Sequence, residues 1–65
     1  MSDDDPVGRE LAFWILVDSY VEAFGEQPDN VAAMVIASSV SRASTGEPYR
    51  WVQDGRFRKL VWGAI

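Results

Sequence analysis

The chain has 65 residues, enough for one small domain, and 48% of them are hydrophobic, with three Trp, three Phe and two Tyr. It contains no Cys and no His, which excludes disulfide frameworks, zinc fingers, thiol catalysis and histidine-based acid–base catalysis. We therefore expect a non-enzymatic protein that binds a partner, with no catalytic residue, no cofactor and no dedicated metal site.

The net charge of −4 is divided unevenly along the chain. Residues 1–33 carry eight acidic residues and one basic residue, a balance of −7, whereas residues 34–65 carry two acidic and five basic residues, a balance of +3. Such an asymmetry indicates an interaction with a charged partner. The alternative is that the two halves neutralise each other across the fold.

No segment is long and apolar enough to cross a membrane, because the longest apolar runs, Leu11–Val17 and Val31–Ala37, have seven residues each where about 20 are needed. The N-terminus is acidic, whereas a signal peptide begins with basic residues. The absence of Cys fits an intracellular protein. We expect a cytoplasmic location.

The first predicted element is a helix from Pro6 to Phe24. Asp5 is a good N-cap, Pro is favoured at the first helical position, and Gly25 suits the left-handed residue that ends a helix. The residues before this helix, 1–5, are predicted to form an acidic flexible tail, and residues 6–65 a single compact domain.

A second helix is predicted from about Asp29 to Ser44, ended by Gly46. Two segments rich in aromatic and β-branched residues then flank Asp54-Gly55, which is typical of a hairpin with a type I′ turn, although a bulged variant uses the same dipeptide. The predicted fold class is α+β with the order ααββ. Because a two-stranded ribbon is marginal alone, the hairpin must pack on the helices, gain a strand or pair in an oligomer.

One wide face of the first helix is predicted to be core, together with part of the second helix and at least one Trp of the hairpin. The residues expected to be heavily buried are Phe13, Trp14, Val17, Phe24, Ile36, Val40, and Trp51 or Trp62.

The opposite face of the first helix carries a predicted partner-binding surface. Leu11, Ile15, Asp18 and Glu22 follow one another at spacings of 4, 3 and 4 residues and so form one stripe. Glu26 is close by, and Asp29 opens the next helix. The alternative is that the hairpin or the chain termini cover the apolar part of this stripe. Asp18 and Glu22 do not follow a metal-binding spacing.

The hairpin carries the alternative site, a nucleic-acid-binding surface made of Arg50, Arg56, Arg58 and Lys59. Basic residues interleaved with aromatic residues suit phosphate contact and base stacking. In the type I′ register Trp51 pairs with Arg58, and Arg50 directly opposes Lys59, which is unfavourable without a nearby anion. The competing interpretation is an amphipathic sheet whose arginine stems cover a Trp-containing core.

In its acidic first half and its small, cysteine-free α/β layout, the chain resembles the inhibitors encoded by phages, including the anti-CRISPR proteins and those that act on type I-C systems. The resemblance covers the overall character of the whole chain. It implies binding to a subunit of an RNA-guided surveillance complex, in the cytoplasm of the host cell, and a block of that complex's access to DNA.

The residues support the same kind of function, because carboxylates on a rigid helix can stand in for phosphates against a partner's Lys and Arg. We expect a monomer or a weak homodimer that binds a basic, nucleic-acid-binding protein surface and no membrane. Two alternatives stay open: a degenerate winged-helix protein that binds DNA or RNA with its hairpin, and an assembly subunit that pairs hairpin edges with a copy of itself.

Overall fold

In a computed structural model that describes residues 6–63, two helices are followed by one two-stranded antiparallel sheet. The elements are α1 (Pro6–Phe24), α2 (Asn30–Ser44), β1 (Tyr49–Asp54) and β2 (Phe57–Trp62). The predicted α+β class with the order ααββ is confirmed. The predicted acidic tail, 1–5, lies outside the described residues, as do 64 and 65.

The helix ends form where the sequence predicts them. Gly25 has a positive φ of 73°, and its N–H donates to the carbonyl of Val21 at 2.7 Å to close the last turn of α1. Asp29 is the N-cap of α2, and its Oδ1 accepts a hydrogen bond from the N–H of Ala32 at 2.8 Å.

The hairpin turn lies one residue later than predicted. Asp54 pairs with Phe57, so Gly55 and Arg56 are the two central residues. Gly55 has a φ of +62°, and among residues 6–63 only glycines have a positive φ. A positive φ at the first central residue followed by a negative one defines a type II′ turn. The predicted type I′ turn centred on Asp54-Gly55 is therefore wrong.

The shift of the turn changes the partners of each strand residue but not its face. Trp51 pairs with Leu60 and not with Arg58, and Arg50 opposes Val61, so the predicted contact between Arg50 and Lys59 does not form. Because each partner moves by two residues, and side chains alternate with a period of two, the faces are preserved. The inner face carries Tyr49, Trp51, Gln53, Arg58, Leu60 and Trp62, and the outer face carries Arg50, Val52, Asp54, Phe57, Lys59 and Val61.

The core lies between the helices and the inner face of the hairpin. Leu16, Val17 and Ile36 are its buried centre, and residues from both helices and both strands pack against it: Phe13, Val40, Ala43, Tyr49, Trp51 and Leu60. Tyr20 is only 2% exposed. Neither helix of the described chain is long and apolar enough to cross a membrane.

The predicted burial is confirmed for Val17 and Ile36, whereas Phe13, Phe24, Val40 and both hairpin Trp residues are half-buried. It is wrong for Trp14, whose residue surface is 56% exposed. The physical reason is that α2 and β1 both pack on one side of α1, which narrows the arc that becomes covered.

Replacing Gly55 with Val tests the turn. A Cβ at this position meets no atom within 4 Å, so the cost is the strain of a β-branched residue at positive φ, about 1–3 kcal/mol of the free energy of unfolding. Arg56→Val, one position later at negative φ, is the matched control. Denaturant unfolding of both variants measures the difference, and equal stabilities would show that the turn lies elsewhere.

Candidate functional site

The outer side of α1 presents an exposed row of apolar and acidic side chains, which we call the α1 stripe. Val7, Leu11, Trp14 and Ile15 are 62%, 59%, 56% and 57% exposed, and Asp18 and Glu22 continue the row as exposed residues. At 100° per residue these six side chains fall within an arc of about 100°. α1 is therefore apolar on both sides of its N-terminal half, and only one side is buried.

The stripe includes the two carboxylates and the two apolar residues that the sequence predicts, and it adds Val7 and Trp14. The Trp14 ring contacts the Phe13 ring edge-on, with centroids 5.4 Å apart and planes at 89°. The spacing of Val7, Leu11, Trp14 and Ile15 is i, i+4, i+7 and i+8, which is itself a helical-face pattern. The sequence therefore contains this signal, but the predicted core face of the helix is wide enough to include Trp14 as well.

The carboxylates of Asp18 and Glu22 make no ion pair and no side-chain hydrogen bond within residues 6–63. They lie about one turn apart, roughly 6 Å along the helix axis. Glu22 is in the last turn of α1, which has no basic residue of its own. The negative end of the helix dipole lies there and disfavours an acidic residue. The dipole and the Glu22 carboxylate together create one region of negative potential.

Glu26 and Asp29, the other two predicted partner-binding residues, are engaged within the fold. Glu26 forms an ion pair with Arg58, and Asp29 caps α2. Both carboxylates therefore already have hydrogen-bond partners. Of the four predicted acidic residues, only Asp18 and Glu22 are exposed without such a partner within residues 6–63.

Arg58 fastens the hairpin to the C-terminal end of α1. Its guanidinium lies 4.3 Å from the centroid of the Phe24 ring and 5.6 Å from that of Tyr20. Its Nη1 donates to the Tyr20 hydroxyl at 2.6 Å and pairs with the Glu26 carboxylate. The hydrogen bond to Glu26 and then that to Tyr20 raise the pKa of Arg58 above its ordinary value.

A second polar anchor joins β1 to the middle of α1. The Ser19 hydroxyl accepts hydrogen bonds from Trp51 Nε1 at 2.9 Å and from the Tyr49 hydroxyl at 3.3 Å, and it donates to the carbonyl of Leu16 at 2.8 Å. The Trp51 ring also meets Tyr20 edge-on, with centroids 5.1 Å apart. The indole N–H is thus satisfied inside the inner face.

The four predicted nucleic-acid-binding residues are divided between the two faces of the hairpin. Arg58 is on the inner face and is committed to α1, whereas Arg50 and Lys59 are on the outer face and Arg56 is in the turn. Lys59 Nζ is 3.3 Å from Asp54 Oδ2. Arg50 and Arg56 are exposed and make no ion pair within the described chain.

Arg42, at the end of α2, makes a contact that the sequence did not indicate. It forms an ion pair with Glu47, and its guanidinium lies 4.8 Å from the centroid of the Trp62 ring. The hydrogen bond from Arg42, with its charge as a smaller cause, lowers the pKa of the Glu47 carboxyl below its ordinary value. This pair ties the α2–β1 connection to the end of β2.

Two open clefts, each of about 300 Å³, flank the hairpin. One lies at its tip and is lined by Val31, Arg56 and Phe57 among others. The second lies between α1 and β1 and includes Glu22 and Arg50. Within residues 6–63, no three acidic side chains come together in a group that could hold a metal ion.

The chain matches no known family, no curated protein and no solved structure. Within residues 6–63, the α1 stripe and the outer face of the hairpin each combine exposed apolar side chains with charged groups that make no ion pair, Asp18 and Glu22 on α1 and Arg50 on the hairpin.

Replacing Arg58 with Met removes the guanidinium but keeps much of the apolar stem. We expect a clear loss of stability, because the hydroxyl of Tyr20 and the carboxylate of Glu26 lose their common partner. Arg56→Met, two residues away and exposed, is the matched control and should leave the melting temperature unchanged. Thermal unfolding by circular dichroism measures both, and equal melting temperatures would contradict the assigned role of Arg58.

The pair of Arg42 and Glu47 predicts a dependence of stability on pH. Because the pKa of Glu47 is lower in the folded state than its ordinary value of 4.5, the pair stabilises the fold above pH 4.5, and this contribution is lost as the pH falls through the folded-state pKa. Glu47→Gln should therefore lower the melting temperature by more at pH 7 than at pH 2.5. Arg42→Gln should remove the same pH-dependent contribution to stability. A change in melting temperature that is the same at both pH values would contradict the assignment.

Proposed function

We propose that this protein is a non-enzymatic inhibitor that binds, through the α1 stripe, a basic nucleic-acid-binding surface of another protein and blocks it. Inhibition of a CRISPR surveillance complex is the specific form of the proposal. The observation that supports it is the stripe itself, in which four exposed apolar side chains run directly into two unpaired carboxylates on one rigid helix.

The apolar half of the stripe supplies the contact energy. Single exposed apolar residues are common on protein surfaces, but a contiguous group on one helix face is typical of an interaction site. Trp14 is half exposed next to Leu11 and Ile15, and Trp is the residue type most enriched among those that dominate binding energy at interfaces. Burying these side chains in a partner's groove would remove apolar surface that the fold leaves in water.

The acidic half of the stripe selects the partner by charge. Asp18 and Glu22 project from a helix, so their separation is nearly fixed, and the helix dipole strengthens the negative potential around Glu22. Lys and Arg side chains that normally hold phosphates respond to such a charge at the right spacing. A basic surface with an apolar groove is the complementary partner.

A second copy of this chain does not fit the stripe. Parallel pairing of two α1 helices would place Asp18 against Asp18 and Glu22 against Glu22. Antiparallel pairing would move these carboxylates towards Glu10 of the other copy. Both arrangements oppose like charges, so the stripe favours a different, basic protein.

The proposal is tested by phage plaquing on a strain whose type I-C CRISPR system targets the phage. The wild-type chain should restore plaques, and the double variant Asp18→Asn, Glu22→Gln should restore far fewer. The matched control is Ala37→Lys, Ser41→Lys on the exposed side of α2, because both double variants change the net charge from −4 to −2. This control should retain full activity.

Stability measurements separate loss of binding from loss of folding. The helix variant should be at least as stable as the wild type, since exposed substitutions change stability by only about 0.5 kcal/mol and the Glu22 charge is unfavourable at a helix C-terminus. Full plaquing by the helix variant would contradict the role of the carboxylates. Wild-type protein that restores no plaques would exclude the CRISPR form of the proposal.

The broader form is tested with a photo-crosslinking residue at position 15, with position 38 on α2 as control. A basic nucleic-acid-binding protein crosslinked from position 15 alone, with affinity that falls as salt rises, is the expected result. Charge reversal of the hairpin, as Arg50→Glu with Arg56→Glu, should affect this interaction less. Arg58 is left unchanged in this comparison because reversal of its charge would break the contacts that attach the hairpin to α1.

A further inference from the structure

The outer face of the hairpin combines an exposed ring with unpaired cations. Phe57 is 67% exposed, although a Phe in a strand would normally be covered by a neighbour. Arg50 and Arg56 are exposed and have no ion-pair partner within residues 6–63, and Lys59 lies between them. The single acidic residue of this face, Asp54, is paired with Lys59.

We propose that the outer face of the hairpin binds a single-stranded nucleic acid, with an unpaired base stacked on Phe57 and phosphates held by Arg50 and Arg56. This goes beyond the proposed function, which uses the α1 stripe on another surface. The inner face is occupied by the core, since Tyr49, Trp51 and Leu60 pack on the helices, so the outer face is the one that remains open to a ligand.

The ring and the cations are arranged as a track along the hairpin. Phe57 and Arg56 both line the cleft at the tip, so a base on the ring would be close to the Arg56 guanidinium. The two carboxylates that also line this cleft are already engaged, Glu26 with Arg58 and Asp29 as the N-cap of α2. Arg50 is four residues before Asp54 on β1, roughly 13 Å along the strand. The cations therefore lie on both sides of the ring along the strand direction.

The ring selects a single strand over a duplex. In a duplex the faces of the bases are stacked on each other, so an aromatic side chain on a sheet surface has no base to contact. A duplex is also a wide polyanion, and this chain has a net charge of −4 with acidic groups on α1. A single strand needs only a narrow path along Arg56, Phe57 and Arg50, so it meets fewer of these acidic groups than a duplex would.

The face contains no neutral hydroxyl or amide side chain within the described strands that would recognise a ribose hydroxyl. We therefore expect recognition of base planes and phosphates that is tolerant of sequence, with similar affinities for DNA and RNA. An acidic protein segment would use the two arginines but would gain little from an exposed Phe ring.

Fluorescence anisotropy with a labelled 15-nucleotide oligo(dT) and the matching oligo(U) tests the proposal on the full chain. Phe57→Ala should weaken binding about 5- to 150-fold, the equivalent of one stacked base, whereas Phe57→Tyr should retain it. Met34→Ala, which removes an equally exposed apolar side chain from α2, should have no effect.

The salt dependence tests the two arginines. Two phosphate contacts on a single strand predict an affinity that falls about 7-fold between 50 and 200 mM salt. Arg50→Gln with Arg56→Gln should abolish most of this dependence. Its matched control, Ala37→Glu with Ser41→Glu on α2, reaches the same net charge of −6 from −4 and should keep the steeper dependence.

Three results would overturn the proposal: duplex DNA that binds as tightly as the single strand, Phe57→Ala that binds like the wild type, or the two double variants weakening binding equally. If Phe57→Ala binds the oligonucleotide like the wild type and polyglutamate displaces the oligonucleotide, the occupant of this face is an acidic protein. None of these results bears on the α1 stripe, because plaquing by the Asp18 and Glu22 variant is measured independently.

Discussion

The attachment of the hairpin to α1 is the interaction on which the rest of this small fold depends. Two strands without a third are marginal in water, so the ribbon needs the helices as its support. Trp51 supplies this contact by packing on Tyr20 and bonding to Ser19, and Arg58 supplies it at the tip by bridging Tyr20 and Glu26. These contacts decide which side of the hairpin faces solvent and which cations stay available.

The single-sided packing of α1 follows from the same arrangement. α2 and β1 lie on one side of α1, and the chain provides no further element among residues 6–63 to cover the other. α1 leaves the apolar side chains of Leu11, Trp14 and Ile15 in water, and it places Glu22 at the negative end of its dipole. Neither arrangement favours stability. Such local conflicts are expected where a surface is kept for binding, since the fold gains nothing from them.

The order of the elements, the caps at Gly25 and Asp29, and the exposure of the predicted α1 residues follow from local patterns in the sequence. The turn type does not, because Asp-Gly permits a turn with either residue at the first central position, and only the pairing of the strands decides between them. The roles of Arg56 and Arg58 could not be separated either. Identical side chains two residues apart acquire different roles once one of them meets the rings of α1.

Asp18 on α1 and Arg56 in the hairpin turn carry unpaired charges of opposite sign on different elements, and they contribute to an electric dipole moment in addition to the net charge. In the field of a charged partner such a dipole experiences a torque, so the molecule rotates before the surfaces touch. This acts over roughly the Debye length, about 8 Å at physiological ionic strength. For the proposed basic partner, the first collision would then be biased towards the helix side, which would raise the fraction of encounters that become productive.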